Sequence, residues 1–124
     1  MRKSELEERL ISFAVLCIEI SKDIQENKAG IHLSGQIIRS SSSSALNYGE
    51  AQSGESRKDF IHKMKIVLKE LRESYVCLRI ISRAILTDQQ EKVESAIAEA
   101  NELISIFVKS VSTAENRERG QIGD

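Results

Sequence analysis

The chain of 124 residues contains no proline and no tryptophan, and only 4% of its residues are aromatic. Sandwiches and barrels are built from strands rich in aromatic and β-branched residues, so this composition disfavours an all-β fold. Charged residues make up 30% of the sequence, which is typical of a helical bundle. The length suffices for one domain with a single core.

Cysteine is scarce as well, since Cys17 and Cys77 are the two in the chain, and both lie among apolar neighbours. No secretory leader is recognisable, so we expect reduced thiols in the core rather than a disulfide. No apolar run approaches the roughly 20 residues that a membrane-spanning helix needs. These absences predict a soluble, cytoplasmic protein with no membrane partner.

Apolar residues recur at intervals of three and four along most of the chain, which predicts amphipathic helices. The first such seam comprises Leu6, Leu10, Phe13, Cys17, Ile20 and Ile24. We predict helices over residues 4–27, 31–52, 57–85 and 88–112, within a domain over 1–113, and a disordered tail over 114–124. Short connections between long helices predict an all-α, antiparallel up-down-up-down four-helix bundle.

Capping residues mark several of the predicted helix ends. Gly30 is available for a left-handed cap after the first helix. Ser56 is placed to cap the third helix, and Asp59 favours the positive end of that helix. Thr87 followed by Gln90 has the spacing of a capping box for the fourth.

The second predicted helix contains an unbroken run of serines over residues 40–44, and a flexible linker is the alternative. Serine costs only about half a kcal/mol relative to alanine inside a helix. A linker would leave about twenty residues without secondary structure inside a small domain, which is uncommon. We therefore favour a helix whose small residues let neighbouring backbones approach closely.

Basic residues concentrate on one side of the third predicted helix. Residues 57–83 hold eight Lys or Arg against three Asp or Glu, whereas the whole chain has a net charge of −1. The residues that share this side, which we call the basic ridge, are Lys58, His62, Lys65, Lys69, Arg72, Arg79 and Arg83. The ridge is either a solvated helix face or, repeated in an assembly, a surface for RNA phosphates.

Catalytic and metal-binding patterns are weak. Asp59 and His62 have the i, i+3 spacing of di-iron bundles, but the second copy and the inward glutamates of such sites are missing. The serines lack a Gly-x-Ser-x-Gly turn, and Cys17 and Cys77 lie on or beside apolar seams, where burial dulls a thiol. We expect no catalytic residue, no metal, no cofactor and no enzymatic activity.

A more specific pattern of spaced residues covers residues 33–73. Its members in the second predicted helix are Leu33, Gln36, Arg39, Ser43, Asn47 and Glu50. Those at the start of the third are Lys58, Asp59 and Phe60, and Leu68, Leu71 and Glu73 continue the pattern. This pattern resembles the bacterial four-helix-bundle family known as 23S ribosomal RNA intervening-sequence proteins.

The resemblance implies a four-helix bundle that commonly assembles as a homopentamer and has no known reaction. Members lie within insertions in ribosomal RNA genes, and related bundles bind RNA and a reverse transcriptase. Many members have Gly-Ser where this chain has Lys69 and Glu70, so the third helix gains charge here. Arg39 and Glu50 are three turns apart, and we favour an interhelical or intersubunit ion pair over two exposed charges.

The function most consistent with the sequence is a non-enzymatic, homo-oligomeric bundle that binds RNA or serves as an adaptor through the basic ridge. The alternative is a purely protein-binding adaptor without nucleic-acid contact. Its partner would be, for example, a reverse transcriptase or a neighbouring gene product.

Overall fold

The computed structural model describes residues 1–54 and 56–123, with side chains described up to residue 120. Its four helices are α1 (Lys3–Lys22), α2 (Lys28–Gln52), α3 (Arg57–Arg83) and α4 (Gln90–Gly123). No strand occurs in these two segments, so the predicted all-α class is confirmed. None of the described helices is both long and apolar enough to cross a membrane.

Neighbouring helices run antiparallel. Cys77 Sγ lies 3.6 Å from the Leu33 carbonyl oxygen near the start of α2, whereas Lys63 Nζ lies 2.6 Å from a Glu50 carboxylate oxygen near its end. Residue numbers therefore decrease along α3 as they increase along α2, and α3 and α4 show the same reversal. The α2–α3 contact is the most extensive, and the α1–α4 contact is the least. The predicted four-helix bundle is confirmed.

The predicted apolar seams form the core. All six residues of the first seam are buried, and Cys17 and Cys77 are buried free thiols. On α4, Ala96 and Leu103 are fully buried, while Ile104 is half-buried. The core therefore follows the helical periodicity on which the fold prediction rests.

The serine run is helical, as predicted, and it forms part of the α2–α3 contact. Ser40, Ser41 and Ser44 are buried. Ser41 Oγ donates to the Ile37 carbonyl at 2.7 Å, and Ser44 Oγ donates to the Ser41 carbonyl at 2.7 Å. Because the Ser41 and Ser44 hydroxyls are satisfied within α2 and the Ser40 hydroxyl bonds Ser74 on α3, all three are buried without unpaired polar groups.

The connection between α1 and α2 differs from the prediction. Helix α1 ends at Lys22, and Asn27 caps α2 by accepting a hydrogen bond from the Gly30 amide at 2.8 Å. Gly30 therefore lies inside α2 with a negative φ, and its predicted left-handed cap is wrong. A Cβ atom at Gly30 would lie 1.8 Å from the Gln25 carbonyl oxygen, so glycine is needed here for close approach.

The ends of α3 combine a predicted cap with an unpredicted one. Ser56 accepts a hydrogen bond from the Asp59 amide at 3.1 Å, as predicted. At the other end, Ile85 has a φ of 52°, outside the helix in which it was predicted. The Ile85 amide donates to Ser82 and the Leu86 amide to Ile81, each at 3.2 Å, which is a Schellman motif.

Helix α4 begins after Thr87, whose hydroxyl accepts from the Gln89 amide at 3.1 Å, while the Gln90 side chain donates to the Thr87 carbonyl at 2.8 Å. The predicted capping box is therefore absent, because the Thr87 hydroxyl bonds the amide two residues on rather than three, and the Gln90 side chain bonds the Thr87 carbonyl rather than its amide. The helix continues to Gly123, eleven residues beyond Ser112, at which we expected it to end. Burial of Ala114 anchors this extension, and residue 124 lies outside the described part.

Candidate functional site

The basic ridge lies along the solvent side of α3, because its spacings of three and four residues return to the same face at each turn. Arg79 is half-buried, and the other six ridge residues are exposed. Lys58 and Arg83 mark the ends of the ridge, which is about 38 Å long at 1.5 Å per residue. The predicted grouping of these side chains is therefore seen in the structure.

Two ridge cations already have partners within the chain. Lys65 Nζ lies 3.0 Å from a Glu115 carboxylate oxygen on α4. The Arg79 guanidinium carbon lies 5.3 Å from the centre of the Tyr75 ring, a cation–π contact. Within residues 1–54 and 56–120, no carboxylate lies within 4 Å of Lys69 or Arg72. Lys69 and Arg72 in the middle of the ridge, like Lys58 and Arg83 at its ends, are therefore exposed cations without a carboxylate partner among the described residues.

An open groove of about 820 Å³ lies between α2 and α3, directly beside the ridge. Its apolar lining comprises Leu33, Leu68, Val76, Cys77 and Ile80, and its polar and charged lining comprises Gln36, Arg39, Ser40, Lys65, Lys69, Arg72 and Glu73. Two features that are separate in the sequence, the ridge and the first half of the spaced pattern, therefore meet at one surface. We call this surface the α2–α3 groove.

Sequence reasoning missed two apolar residues of the groove. Val76 is 51% exposed and Ile80 is 45% exposed, and both face away from the α3 seam. Val76 stands in register with the ridge between Arg72 and Arg79, where it interrupts the basic residues. An apolar residue in the middle of a charged stripe was the available signal of an apolar surface.

Arg39 forms the polar edge of the groove on α2. Its Nη1 donates to a Glu70 carboxylate oxygen at 2.9 Å, and its Nη2 donates to Glu73. Glu70 is buried, and the hydrogen bond from Arg39 to Glu70 is the main reason that the pKa of Arg39 is raised. Arg39 thus forms an interhelical ion pair within one chain, and its partners are Glu70 and Glu73 rather than Glu50.

The other residues of the spaced pattern have separate local roles. Glu50 pairs with Lys63 on α3, and the Asn47 side-chain amide donates to the Ser43 carbonyl at 2.9 Å within α2. Phe60 is half-buried against the core. Asp59 lies in the first turn of α3. The pattern therefore combines groove residues with residues that stabilise helices.

Nucleophilic side chains are shielded. Burial raises the pKa of the Cys17 thiol to about 12 and that of Cys77 to about 11, so both are protonated at neutral pH. Asp59 and His62 are both exposed on α3. In the described part of the chain, no three His, Cys, Asp or Glu side chains come together as a metal site would require.

The conserved sequence pattern of one family, the 23S rRNA-intervening sequence proteins, matches residues 2–109, which is most of the chain. The chain belongs to this family. The suspected resemblance is therefore confirmed, and it extends well beyond the residues that suggested it.

Among solved structures, one similar protein is a member of the S23 ribosomal protein family from Bacteroides thetaiotaomicron VPI-5482, described as being of unknown function. It is 28% identical to this chain, with a TM-score of 0.80, and the match covers 90% of this chain and 99% of that one. Its fold agrees with the bundle described above. No curated protein sequence matches the chain.

Proposed function

We propose that this intervening-sequence protein is a non-enzymatic, homo-oligomeric adaptor that binds RNA through the basic ridge of α3. The observation that carries the proposal is the exposure of Lys69 and Arg72, which lie side by side beyond 4 Å of any described carboxylate. Membership of a family named for ribosomal RNA insertions supports an RNA ligand.

Binding of this kind depends on phosphate charge. Lysine and arginine side chains that contact phosphates release condensed counterions, so affinity falls as salt rises. Aromatic side chains do not alternate with the ridge cations, and base stacking therefore contributes little along the ridge. The expected interaction is with the RNA backbone and has little sequence preference.

A fluorescence anisotropy titration with a generic single-stranded RNA at several salt concentrations tests the RNA-binding part. We expect Lys69→Gln/Arg72→Gln to weaken binding. The slope of the logarithm of the binding constant against the logarithm of the salt concentration should fall in magnitude by about 1 for each lost phosphate contact. The matched control is Lys22→Gln/Lys28→Gln, which removes two exposed charges that lie outside the ridge, on α1 and α2, and should leave the slope unchanged. Equal binding by both variants, or no binding at low salt, would exclude the ridge.

Apolar side chains on the outer surface support the proposed assembly. Ile11 and Val15 on α1 are 41% and 47% exposed, and Ile31 and Leu46 on α2 are 64% and 67% exposed. An assembly would cover such side chains and repeat the ridge, so that weak phosphate contacts act together. Size-exclusion chromatography with light scattering tests this part. We expect a homopentamer, as the family resemblance implies, and a stable monomer would contradict it.

The α2–α3 groove favours a second candidate, a protein-binding adaptor. Its apolar lining is suited to an amphipathic helix of a partner such as a reverse transcriptase or a neighbouring gene product. Ile80→Asp should abolish such binding, and charge reversal at Lys65, Lys69 and Arg72 should largely spare it. For RNA binding the effects should be reversed: Ile80→Asp should largely spare it, and the charge reversal should abolish it. Titrating both variants with RNA and with the partner helix therefore separates the two candidate functions.

A further inference from the structure

A second cavity, distinct from the α2–α3 groove, lies at the end of the bundle where α1 and α3 begin and α2 ends. Its volume is about 590 Å³, and side chains from all four helices line it. Its apolar lining comprises the half-buried Phe60 and Ile106 and the buried Leu6, Tyr48, Met64 and Ala114. We call this space the end cavity. Its size and composition are those of a small-molecule site.

Four basic residues surround the end cavity. Lys3 lies on α1, Arg57 on α3, and Lys109 and Arg117 on α4, and all four are exposed. Among the described residues that line the cavity, none is acidic. Three helices thus bring positive charge to one apolar opening, which favours an anion with an apolar part.

Two of these cations occupy positions that are unfavourable for their own helices. Lys3 and Arg57 are the first residues of α1 and α3, where the helix dipole is positive and acidic residues are preferred. Their charges therefore add nothing to helix stability through the dipole. A bound anion would be stabilised by both side chains.

The inner part of the end cavity offers hydrogen bonding as well. The Gln52 side-chain amide makes one long bond, 3.4 Å to the Tyr48 carbonyl, and its buried Oε1 has no partner within the described residues. A small rotation toward the cavity would cost little and would present both a donor and an acceptor. Such an amide is suited to the hydrogen-bonding edge of a nucleobase.

We propose that the end cavity binds a nucleoside 5′-monophosphate group, either as a free nucleotide or as the terminal nucleotide of an RNA strand. The basic residues hold the phosphate, the half-buried Phe60 contacts the base, and Gln52 bonds its edge. Only the strand-end form rests on the proposed RNA-binding function. In that form Arg57, which precedes Lys58, places the cavity at the start of the basic ridge.

Isothermal titration calorimetry of the full chain with adenosine 5′-monophosphate tests the site. We expect the nucleotide to bind at least about tenfold more tightly than either adenosine or inorganic phosphate, because it uses both parts of the cavity. Lys109→Gln/Arg117→Gln should weaken binding by about tenfold through lost charge-assisted hydrogen bonds. The Lys22→Gln/Lys28→Gln control should bind as the unaltered chain does.

A second variant separates space from charge. Thr113 is exposed and lines the cavity, so Thr113→Trp should fill the opening without disturbing the core. We expect it to abolish nucleotide binding and to retain salt-sensitive RNA binding along the ridge. Equal affinities for the nucleotide and inorganic phosphate would overturn the proposal, as would unchanged nucleotide binding by Thr113→Trp.

The two sources of the nucleotide are distinguished by competition. The probe is adenosine 5′-monophosphate that carries a fluorescent label. If the strand end is the ligand, a short RNA with a 5′-phosphate should displace this probe more strongly than the same RNA with a 5′-hydroxyl. Equal displacement by the two RNAs assigns the site to free nucleotides. Lys69→Gln/Arg72→Gln should not change the affinity for the mononucleotide. Loss of RNA binding by the ridge and loss of nucleotide binding by the end cavity can therefore be told apart.

Discussion

At the scale of single residues, Glu70 is the one charged side chain that is buried among the residues that the structure describes. Its exposed fraction is 6%, and Arg39, half-exposed at the edge of the groove, is its ion-pair partner. The charge that Glu70 adds to α3 is therefore neutralised by Arg39 on α2.

Arg39→Ala should lower the free energy of unfolding by about 1–3 kcal/mol, because it leaves a buried carboxylate without a cation. Urea unfolding followed by circular dichroism measures the loss. Adding Glu70→Gln to the variant should recover part of it, because a neutral amide is less costly to bury. Lys63→Ala, which breaks a more exposed pair, should cost less than about 1 kcal/mol, and an equal loss would contradict this explanation.

The two buried thiols make stability depend on alkaline pH. In the unfolded chain they ionise near pH 9.0, but in the folded chain burial raises the pKa of Cys77 to about 11 and of Cys17 to about 12. Their contribution to folding is complete below pH 9.0 and is lost as pH rises toward 12. The unfolding free energy should fall by up to about 1.4 kcal/mol per pH unit for each thiol.

Urea unfolding at pH 8 and pH 10.5 measures this dependence. Cys17→Ala/Cys77→Ala should show a smaller decrease, although Tyr48 remains, and burial raises the pKa of that side chain too. If the variant and the unaltered chain lose the same free energy, the thiols are not the cause.

At the scale of helices, close packing of α2 on α3 depends on small side chains. Ser40 Oγ and Ser74 Oγ lie 2.7 Å apart, so two hydroxyls meet across the interface where larger side chains would hold the helices apart. Ser74 is also bonded to the Glu70 carbonyl at 3.0 Å. The serine run is thus a packing surface rather than a flexible segment.

Ser44→Leu should destabilise the bundle by about 1–3 kcal/mol, because Ser44 is fully buried and the extra methyl groups have no space. Ser42→Leu introduces the same side chain two residues away, where the position is partly exposed, and should change stability by less than about 1 kcal/mol. Thermal unfolding of both variants provides the comparison. A larger effect at Ser42 would mean that α2 is oriented differently.

The C-terminal end of α3 is strained at Ile85. Left-handed backbone costs a side-chain-bearing residue about 1–2 kcal/mol, and Ile85 is 67% exposed, so little burial offsets that cost. Ile85→Gly should therefore raise the free energy of unfolding by about 0.5–1 kcal/mol. Ile80→Gly, within the helix, should lower it by a similar or larger amount, and stabilisation by both substitutions would contradict the assignment.

Apolar spacing was sufficient to predict the four helices and most of the core, because each helix buries one face along its length. It could not predict the role of Gly30, since that depends on the Gln25 carbonyl of the preceding connection. Nor could it predict that α4 continues past Thr113, where Ala114 is buried and Glu115 pairs with Lys65. Both misses come from contacts between segments.

The candidate sites were predictable only in part for the same reason. The basic ridge follows from the spacing along one helix, so sequence alone was enough to group its residues. The α2–α3 groove and the end cavity are spaces between helices, and residues far apart in the chain line them. Their shapes depend on how closely helices pack, which no single helix encodes.

At the scale of the whole molecule, each helix mainly contacts its neighbours in the chain, and α1 and α4 share the least surface. Native contacts can therefore form progressively during synthesis, as each helix leaves the ribosome and meets the previous one. The α1–α4 side, where Arg9 pairs with Glu99 at 2.6 Å, must wait for the last helix, as must the contact between the Tyr48 and Phe107 rings. Such local connectivity is typical of chains that refold in microseconds to milliseconds, which stopped-flow experiments can measure.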